Sequence, residues 1–558
     1  MPIAVLLKPN TYRDSVALMV LTGALSALDG VQQASAVMAT PANVEILVAT
    51  GLLTDALAQA GPNDLCVAVD ARDDAAASAA LTQAEALLAA AGQGSGAGSG
   101  GFGGGGPAWR PRTLRSAVQA RPDANVALIS VPGEHAALEA RNALLAGLHV
   151  FLFSDHVTLD DEIALKRLAT ERGLLLMGPD CGTALIAGAP LGFANAVRCG
   201  PIGVVGSSGT GLQEVTSLIH RLGGGVSHAI GTGGRDLYGP VGGQTFLAAV
   251  DALAADSETT VLVGIAKPGD AGVERRVLER LRASGKPSVV YFLGADGPAT
   301  SATGADKARP AGPVVGVSGT GLSGMPGPLI AADLEHAARC SVALAAGAQL
   351  PAPRDPADAE AMAREIVDAA GPRQRAVCGL FAGGTLAQEA ASAIARALGG
   401  HLRDAGGTRP GEVLRLAARG GSVGLAYSVL DLGDDAYTRG RPHPLIDPRV
   451  RNQELVAQAG TGVFGLFILD VILGTGSHED PAGALAPALA AARAASEAAG
   501  GTLQVIASLC GTEDDSQGYQ RQRAALEAQR VRVAASSSAA AAVAARVAAL
   551  LANEGEAR

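Results

Sequence analysis

The amino-acid sequence predicts an α/β protein made of several domains with parallel sheets. The chain has 558 residues, which corresponds to about three to five domains at the usual size of about 100–200 residues each. Short runs rich in Val, Ile and Leu recur along it, and stretches of helical periodicity separate them. Such runs predict parallel strands that helices cover on both faces. Beyond residue 112 the predicted strands are 125–131, 148–153, 174–177, 202–206, 260–265, 287–293, 376–381, 463–473 and 503–509.

The first 91 residues have a different pattern, which predicts a small separate domain. Three predicted strands alternate there with three predicted helices, the strands at 3–7, 34–39 and 65–69 and the helices at 12–28, 41–53 and 73–91. This order predicts a ferredoxin-like sandwich that is similar to ACT domains. A docking or dimerisation module and a ligand-sensing module are both consistent with it.

Biased composition predicts where the rest of the chain divides. Residues 92–112 contain a run of Gly and Ser that cannot bury a core, so they predict a flexible linker. Residues 346–375, rich in Pro, Ala and charged residues, predict a second linker with a helix in it. The alanine-rich segment 534–552 predicts a helix that closes the last domain.

Composition and charge exclude several functional classes. Aromatic residues make up only 3% of the chain and the formal net charge is −10. These values argue against proteins that stack nucleic-acid bases and against partners such as duplex DNA or an anionic membrane. The six cysteines are scattered without a C-x-x-C pair, which argues against a zinc site and favours a reducing compartment. We therefore expect a cytoplasmic protein with no metal site, no nucleic-acid partner and no membrane span.

Glycine stands with Ser, Thr or Lys at five predicted strand ends, at 206–211, 231–234, 267–269, 383–385 and 510–512. Ligands of open parallel sheets bind beyond such ends, where glycine lets an anion approach backbone N–H groups and a helix dipole. Each loop alone is equally consistent with an ordinary turn. The two loops that lead into predicted helices, 207–221 and 384–398, are the best candidates for a phosphate site. The candidate ligands in these loops are Ser207, Ser208, Gly209, Thr210, Gly211, Gly233, Gly234, Lys267, Gly383, Gly384 and Thr385.

One of these loops has a second copy in the sequence. The segment VVGSSGTGL at 204–212 recurs as VVGVSGTGL at 314–322, and Pro326 and Pro328 follow the second copy. Because proline disrupts the interior of a regular helix, the second copy favours a loop of biased composition. A second anion site over 316–328 remains the alternative.

The segment 441–452 (RPHPLIDPRVRN) has an unusual density of polar residues between prolines. Prolines stiffen the backbone, and a stiff loop with convergent polar side chains is suited to binding a ligand. Arginine can bind a carboxylate or phosphate through two parallel hydrogen bonds. A solvated surface loop with Arg–Asp pairs is the alternative. The candidate residues are His443, Asp447, Arg449, Arg451 and Asn452.

Two further segments carry groups that are chemically versatile. A predicted strand ends in a glycine turn that bears His478, Glu479 and Asp480, which is consistent with acid/base chemistry or with a capped turn. Cys181 follows another strand in the segment GPDCG. No histidine near it in the sequence suggests an activating base, so we predict a packed cysteine rather than a nucleophile.

These motifs together resemble a known family. The segments LLLMGPDCGTALI at 174–186, PIGVVGSSGTGLQEV at 201–215 and IGTGGRDL at 230–237 resemble the succinyl-CoA synthetase α-subunit. The segment LFAGGTLAQEA at 380–390 resembles the carboxyl-terminal domain of its β-subunit. Fused with HPLIDPRVRN at 443–452, LDVILGTGSHEDP at 469–481 and LCGTEDD at 509–515, they resemble the FdrA family of acyl-CoA-synthetase-like proteins.

The resemblance implies a domain organisation. A ferredoxin/ACT-like domain over 1–91 and the linker 92–112 precede a CoA-binding-like Rossmann domain over 113–198. Two flavodoxin-like domains of the succinyl-CoA-synthetase ligase type follow, the first over 199–345 and the second over 376–553, joined by the linker 346–375.

The sequence departs from the synthetases in ways that bear on its chemistry. The stretch 294–313, where the synthetases carry a phosphohistidine, contains no histidine. The first half of the CoA-binding domain has no counterpart before residue 113, and the ATP-grasp part of the β-subunit is absent from the sequence. We therefore predict that the chain by itself shows no CoA-dependent ATP hydrolysis.

The resemblance also implies a function, because FdrA-type proteins are associated with ureide and purine-nitrogen catabolism as subunits of oxamate carbamoyltransferase. In this interpretation the loops 207–211 and 383–385 hold phosphate, Arg449 and Arg451 hold oxamate, and His443 acts as acid, base or carbonyl polariser. The substrates are then carbamoyl phosphate or phosphate and a small carboxylate, and the partners are other protein subunits or further copies of the chain. An NDP-forming acyl-CoA synthetase that uses CoA and a nucleotide is one alternative, and a non-catalytic assembly or regulatory subunit is another.

Overall fold

A computed structural model of the chain describes residues 3–13, 15–93, 111–293, 327–399, 402–404, 412–418, 426–438 and 441–556. The chain separates into two compact units. The first comprises residues 1–124, 130–132 and 437–447, and the second comprises the remaining residues. Within the described ranges, no helix is both long and apolar enough to span a bilayer. Most of the linker at 92–112, the whole stretch 294–313 and the repeat at 314–322 lie outside the described residues.

The first unit contains the predicted small domain. Its elements are β1 (Ile3–Lys8), α1 (Ser15–Ser26), β2 (Val31–Met38), α2 (Pro41–Ala49), β3 (Leu65–Ala71), α3 (Asp74–Gln93) and α4 (Leu114–Ala120). The strands form an antiparallel sheet in the order β1-β3-β2. Alternate residues of β3 are buried on opposite faces, with Val67 and Val69 against α1 and α3 and with Cys66 and Ala68 against the α2 side. Burial on both faces explains why β3 reads as a continuous apolar run.

The second unit begins with a parallel sheet of three strands in the order β4-β5-β6. Its elements are β4 (Val126–Ile129), α5 (Gly133–Leu145), β5 (His149–Leu152), α6 (Leu159–Glu171) and β6 (Leu176–Met177). Strands and helices alternate here as the resemblance to a Rossmann-like domain predicts. The next two strands, β7 (Thr183–Ile186) and β8 (Ala189–Gly192), join the following sheet instead, where β7 pairs with β10.

That following sheet has seven strands in the order β13-β12-β11-β9-β10-β7-β8. Its five strands from β9 to β13 are mutually parallel, as the β-branched sequence runs predict. The elements after β8 are β9 (Cys199–Gly206), α7 (Gly209–Arg221), β10 (Val226–Gly231), α8 (Gln244–Ala255), β11 (Val261–Ala266), α9 (Ala271–Ala283), β12 (Ser288–Phe292), β13 (Leu329–Ile330) and α10 (Leu334–Ala345).

The second large sheet also has seven strands, in the order β15-β16-β17-β14-β18-β19-β20. After a 3-10 turn at Pro356–Ala359, the elements are α11 (Glu360–Asp368), β14 (Ala376–Phe381), α12 (Gly384–Leu398), β15 (Leu402–Asp404), β16 (Glu412–Ala418), β17 (Ala426–Asp431), α13 (Asp435–Thr438), α14 (Arg449–Ala459), β18 (Phe464–Ile472), α15 (Pro481–Ala498), β19 (Val505–Cys510), α16 (Tyr519–Ala528), β20 (Arg532–Ala534) and α17 (Ser537–Glu556). The alanine-rich segment forms α17, the closing helix that the sequence predicts, and it packs on α11 and α12. The proposed linker 346–375 therefore contains a helix that belongs to this packed layer.

Candidate functional site

The two best candidate phosphate loops meet in the second unit. Helix α7 starts after β9 and helix α12 starts after β14, and the two helix starts contact each other. The Ser208 and Thr385 hydroxyl oxygens lie 2.5 Å apart. A Cβ placed on Gly383 would lie 2.9 Å from the Thr210 side chain, so only glycine permits this approach. The structure thus confirms both predicted helices and places their amino-terminal ends together.

A side chain of the same loop stabilises the start of α7. Ser208 is the N-cap residue, and its Oγ accepts a hydrogen bond of 2.9 Å from the Gly211 N–H. Ser208 is buried, whereas Gly209 and Thr210 are half-buried. Two residues in the first turn of the helix are therefore partly accessible to a ligand.

A residue from a distant strand stabilises the start of α12. Asp470 on β18 accepts hydrogen bonds of 2.8 Å from the Ala382 N–H and 2.7 Å from the Gly383 N–H. The buried Arg451 donates to the Asp470 backbone oxygen at 2.6 Å, and its Nη1 lies 3.6 Å from Asp470 Oδ1. Burial raises the pKa of Asp470, and the positive charge of Arg451 opposes this shift. The pair fixes the backbone that leads into the helix.

A carboxyl group and an ammonium group flank the first residue of α12. A Cβ placed on Gly384 would lie 2.3 Å from Asp431 Oδ2 and 3.5 Å from Lys267 Nζ. Asp431 ends β17, and its Oδ1 accepts a hydrogen bond of 3.0 Å from the Gly433 N–H. Burial raises the pKa of Asp431 to about 7, although Lys267 and the Gly433 N–H both favour the ionised form. Asp431 and Lys267 are both half-buried, so both reach the accessible side of the site.

The arrangement can bind a tetrahedral anion and exchange a proton with it. Two helix dipoles point their positive ends at one place, and Lys267 adds a full positive charge. Asp431 titrates near neutral pH, which is the property required of a proton donor or acceptor. We call the starts of α7 and α12 with Lys267 and Asp431 the two-helix site.

Most of the predicted phosphate ligands lie in this site. The structure brings together six of them: Ser208, Thr210, Lys267, Gly383, Gly384 and Thr385. Two more, Gly209 and Gly211, belong to the first turn of α7. Ser207 is buried, and its hydroxyl has no hydrogen-bond partner among the residues the structure describes. Phosphate binding by these groups remains a prediction.

The structure places two other predicted ligands elsewhere. Gly233 packs on Gly178 and Pro179, and a Cβ on it would lie 2.5 Å from the Pro179 carbonyl oxygen. The same loop is held by the fully buried Lys166, which donates to the Thr232 carbonyl oxygen at 2.8 Å and to Asp236 at 2.6 Å. Gly234 follows in this loop and is half-buried. These contacts give Gly233 a packing role in the described structure.

The segment 441–452 is not one continuous loop as predicted, whereas its binding role remains a prediction. Residues up to Asp447 group with the first unit, and the residues from Pro448 onward group with the second. The last part is not a loop, because α14 begins at Arg449 directly after Pro448, whose fixed φ and missing N–H suit a helix start. Arg451 is buried against Asp470 rather than presented to solvent, and the Asn452 amide donates to the Ala484 carbonyl oxygen at 2.9 Å.

His443 lies in the part of the segment that groups with the first unit. Its Nδ1 accepts a hydrogen bond of 3.2 Å from the Leu445 N–H, and its carbonyl oxygen accepts from the N–H groups of Ile446 and Asp447. Burial lowers the pKa of His443 to about 4, so this imidazole is neutral at pH 7. The catalytic roles of His443, Asp447 and Arg449 remain predictions.

The structure bears on the two further segments that carry versatile groups. His478 Nδ1 accepts from the Asp480 N–H at 3.0 Å, and Asp480 caps α15, so this segment is a capped turn. Cys181 is buried, and burial raises the pKa of its thiol to about 12. The structure therefore agrees with the prediction of a packed cysteine, since a nucleophile requires an accessible thiolate.

Sequence reasoning missed Asp431 and Asp470. Asp470 stands inside the apolar run LFILDVIL, where a buried carboxylate needs a partner, and this was an available signal. Asp431 ends a run, AYSVLD, that was not recognised as a strand. Recognising β17 would have placed its carboxyl at the same sheet edge as the loop 383–385.

Comparison with known proteins agrees with this architecture. The family model described as AllF, heavy metal-associated domain, matches residues 1–101, and the CoA-ligase model matches residues 380–547. The uncharacterized protein YahF of Escherichia coli (strain K12) is 38% identical over 537 residues, which are 96% of this chain and 97% of YahF.

Two other similarities are more limited in extent or identity. The alpha-2 subunit of the mitochondrial succinate–CoA ligase [ADP-forming] of Trichomonas vaginalis is 32% identical over 186 residues, or 32% of this chain and 59% of that subunit. The chain therefore spans less than two thirds of that relative. The solved apo form of a dinucleotide-forming acetyl-coenzyme A synthetase of Ca. Korarchaeum cryptofilum is 16% identical, with a TM-score of 0.31 and coverage of 77% of this chain and 85% of that one.

The name of the amino-terminal family model implies a metal, but the residues present do not suit one. Residues 1–101 contain a single cysteine, Cys66, and no histidine. Cys66 is buried in β3, and burial raises the pKa of its thiol to about 11, which disfavours the thiolate that binds metal. No cluster of His, Cys, Asp or Glu in the described part of the chain is arranged to hold a metal ion.

The matched family model and the full-length relative indicate the same family. The starts of α7 and α12 lie together within one polypeptide, and α12 lies inside the range that the CoA-ligase model matches. YahF is similar over nearly the full length of both chains. The chain belongs to the FdrA family of acyl-CoA-synthetase-like proteins.

Proposed function

We propose that this chain is an acyl-transferring enzyme subunit that binds an acyl phosphate, or phosphate and an acyl donor, at the two-helix site. In the form that the relatives favour, the acyl group moves between phosphate and the thiol of CoA, as in an acid–thiol ligase. The observation that carries the proposal is the meeting of two helix starts beside Lys267 and Asp431.

Electrostatics support this chemistry. When an acyl group leaves an acyl phosphate, negative charge grows on the phosphate oxygens. The positive ends of α7 and α12 and the Lys267 ammonium stabilise that charge in place, which is the largest contribution in many acyl-transfer enzymes. Asp431 can donate a proton to the leaving phosphate or accept one from the attacking group.

Carbamoyl transfer is a second candidate, and one observation favours it. The stretch 294–313 contains no histidine, so the chain lacks there the residue that carries phosphate between sites in the synthetases it resembles. A direct exchange, in which oxalurate and phosphate give oxamate and carbamoyl phosphate, needs no such carrier. Carbamoyl phosphate is itself an acyl phosphate, so the same two-helix site would serve.

The test measures both reactions on the full chain, alone and with candidate partner subunits added. One arm supplies succinyl-CoA with phosphate and follows CoA release, and the other supplies carbamoyl phosphate with oxamate and follows phosphate release. Activity in the first arm supports the acid–thiol reaction, and activity in the second arm supports carbamoyl transfer. No activity in either arm would overturn the enzymatic proposal and favour a non-catalytic assembly or regulatory subunit.

A matched pair of variants connects any activity to the site. Gly384→Ala places a methyl group against Asp431 and Lys267, and we expect it to lower turnover about tenfold or more. Gly23→Ala is the control, because a Cβ at this position in α1 has no atom within 4 Å. Equal activity of the two variants would place the chemistry elsewhere in the chain.

A further inference from the structure

Asp431 is in an unexpected position for an anion-binding site. Its Oδ2 lies so close to Gly384 that it occupies the space of a Cβ, directly at the first residue of α12. A bound phosphate would use the same helix start, and two negative charges at one helix end repel each other. Either the carboxylate excludes the anion or it is neutralised when the anion binds.

The charged surroundings determine which of these occurs. The largest effects of other ionisable groups on the pKa of Asp431 come from Lys267 beyond β11, Asp434 in its own loop and Asp470 on β18. Lys267 favours the carboxylate, whereas the two aspartates and burial favour the protonated acid. The balance leaves Asp431 close to its titration point at neutral pH, so one additional negative charge nearby is enough to protonate it.

We propose that the two-helix site binds its anion together with a proton from solvent, and that Asp431 carries this proton. Above pH 7, Asp431 in the anion-free site is ionised and interacts with the start of α12 and with Lys267. When the anion binds, Asp431 is protonated and donates a hydrogen bond to an anion oxygen instead of repelling it. This inference rests on the proposed anion site and adds its proton coupling, which makes Asp431 a group that touches the ligand.

The coupling between anion binding and protonation of Asp431 determines how the anion affinity changes with pH. If the anion binds only the protonated form, its affinity is constant well below pH 7 and falls about tenfold per pH unit above that range. Inorganic phosphate is a poor probe, because its own second ionisation lies in the same range. Sulfate has the same shape and keeps its charge across this range, so it isolates the titration of the protein.

The experiment titrates sulfate into the full chain by calorimetry at several pH values from about 5.5 to 8.5, in buffers of different ionisation enthalpy. We expect the wild type to take up close to one proton per sulfate above pH 7 and to lose affinity as the pH rises. Asp431→Asn should bind sulfate with an affinity that does not change with pH over this range, because its amide stays neutral. Circular dichroism checks that the variant is folded.

Asp434→Asn is the matched control. It removes the same charge from the same loop, but Asp434 is exposed and does not approach Gly384. We expect it to retain the proton uptake and the fall of affinity with rising pH, with this fall beginning at a lower pH because a charge that favours protonated Asp431 is removed.

The outcomes separate the two proposals. Sulfate binding without proton uptake in the wild type overturns the role of Asp431 and leaves the anion site standing, and this result needs no variant. Uptake that persists in Asp431→Asn also overturns it. The absence of binding of either sulfate or phosphate at all pH values overturns the proposed site, and the inference falls with it.

Discussion

The starts of α7 and α12 look alike in the sequence but are held in different ways. Each follows a buried strand and a glycine, and each has a hydroxyl residue in its first turn or at its cap. Ser208 caps α7 from within its own loop. The start of α12 is held by Asp470, which lies 87 positions further along the chain. The first start is therefore determined locally, whereas the second forms only when β14 and β18 pair.

The largest effect should come from removing the distant support. Asp470→Ala leaves the buried Arg451 without its counter-charge and the Ala382 and Gly383 N–H groups without an acceptor. We expect a loss of about 3–5 kcal/mol in the free energy of unfolding, the usual cost of breaking a buried ion pair. Urea denaturation followed by circular dichroism measures it.

Two further variants make this prediction specific. Asp480→Ala removes an exposed helix cap from α15 and a hydrogen bond of 2.8 Å from Gln522, and should cost about 2 kcal/mol, less than Asp470→Ala. Replacing the whole buried pair, with Asp470→Leu and Arg451→Met together, should cost less than Asp470→Ala alone, because no charge is left unpaired. An Asp470→Ala loss as small as that of Asp480→Ala would mean that α12 starts without this support.

The contrast between local support of α7 and distant support of α12 also shows which features can be predicted from the sequence. The apolar strand runs and the helices at 207–221 and 384–398 depend on near neighbours in the chain, and the structure confirms these elements. The pairing of Asp470 with the start of α12 depends on the strand order of the sheet, which residue patterns do not specify. The error at 441–452 has the same origin, because the composition of this segment does not reveal that α14 begins at Arg449.

A third helix start, that of α14, extends the comparison to catalysis. Arg449 is the first residue of α14 and is half-buried. The preceding Pro448 makes no side-chain capping hydrogen bond. If Arg449 binds the substrate carboxylate, Arg449→Lys loses the planar fork and should cost about 2–4 kcal/mol of transition-state stabilisation. The thermal midpoint should hardly move, since an ion pair of this exposure contributes about 1 kcal/mol or less.

Turnover and thermal midpoint of Arg449→Lys should be measured beside Arg441→Lys. Arg441 is exposed in the preceding segment and serves as the control for a conservative Arg replacement. An unchanged rate, or a rate loss matched by unfolding, would remove Arg449 from the list of functional residues.

The two helices are joined again further along, through Ser537 at the start of α17. Ser537 at the start of α17 donates from its N–H to Glu214 of α7 at 2.8 Å and from its hydroxyl to Glu389 of α12 at 2.7 Å. Burial, followed by the charge of Asp333, raises the pKa of Glu389 to about 7. The group is raised above its unfolded value, so its contribution to stability is present at low pH and is lost as the pH rises through about 7.

Glu389→Gln should therefore weaken the decline of stability between about pH 5 and pH 7. One titrating group changes the free energy of unfolding by at most about 1.4 kcal/mol per pH unit. Urea midpoints at several pH values measure the slope, and Glu360→Gln is the control. Arg546 and Arg364 lower the pKa of Glu360 to about 2, so its titration lies below this window. Equal slopes in Glu389→Gln and the wild type would contradict the assignment.

The smallest expected effect concerns the hydroxyl pair between the helix starts, because Ser208 both caps α7 and shares a hydrogen bond with Thr385. Ser208→Ala should cost about 1 kcal/mol for the cap and about 1 kcal/mol for the shared hydrogen bond. Thr158→Ala removes a cap of the same kind from α6, where Thr158 accepts from the Asp161 N–H at 3.1 Å and donates to the Asp161 carboxylate at 2.7 Å, so both of its hydrogen bonds stay within one helix start. A double-mutant cycle with Thr385→Val isolates the shared bond, since Ser208→Ala and Thr385→Val should then be non-additive by about 1 kcal/mol. Thr158→Ala and Thr385→Val, which share no partner, should be additive. Additivity in both cycles would mean that the two helix starts touch without stabilising each other, and the local cap would then account for all of the effect at Ser208.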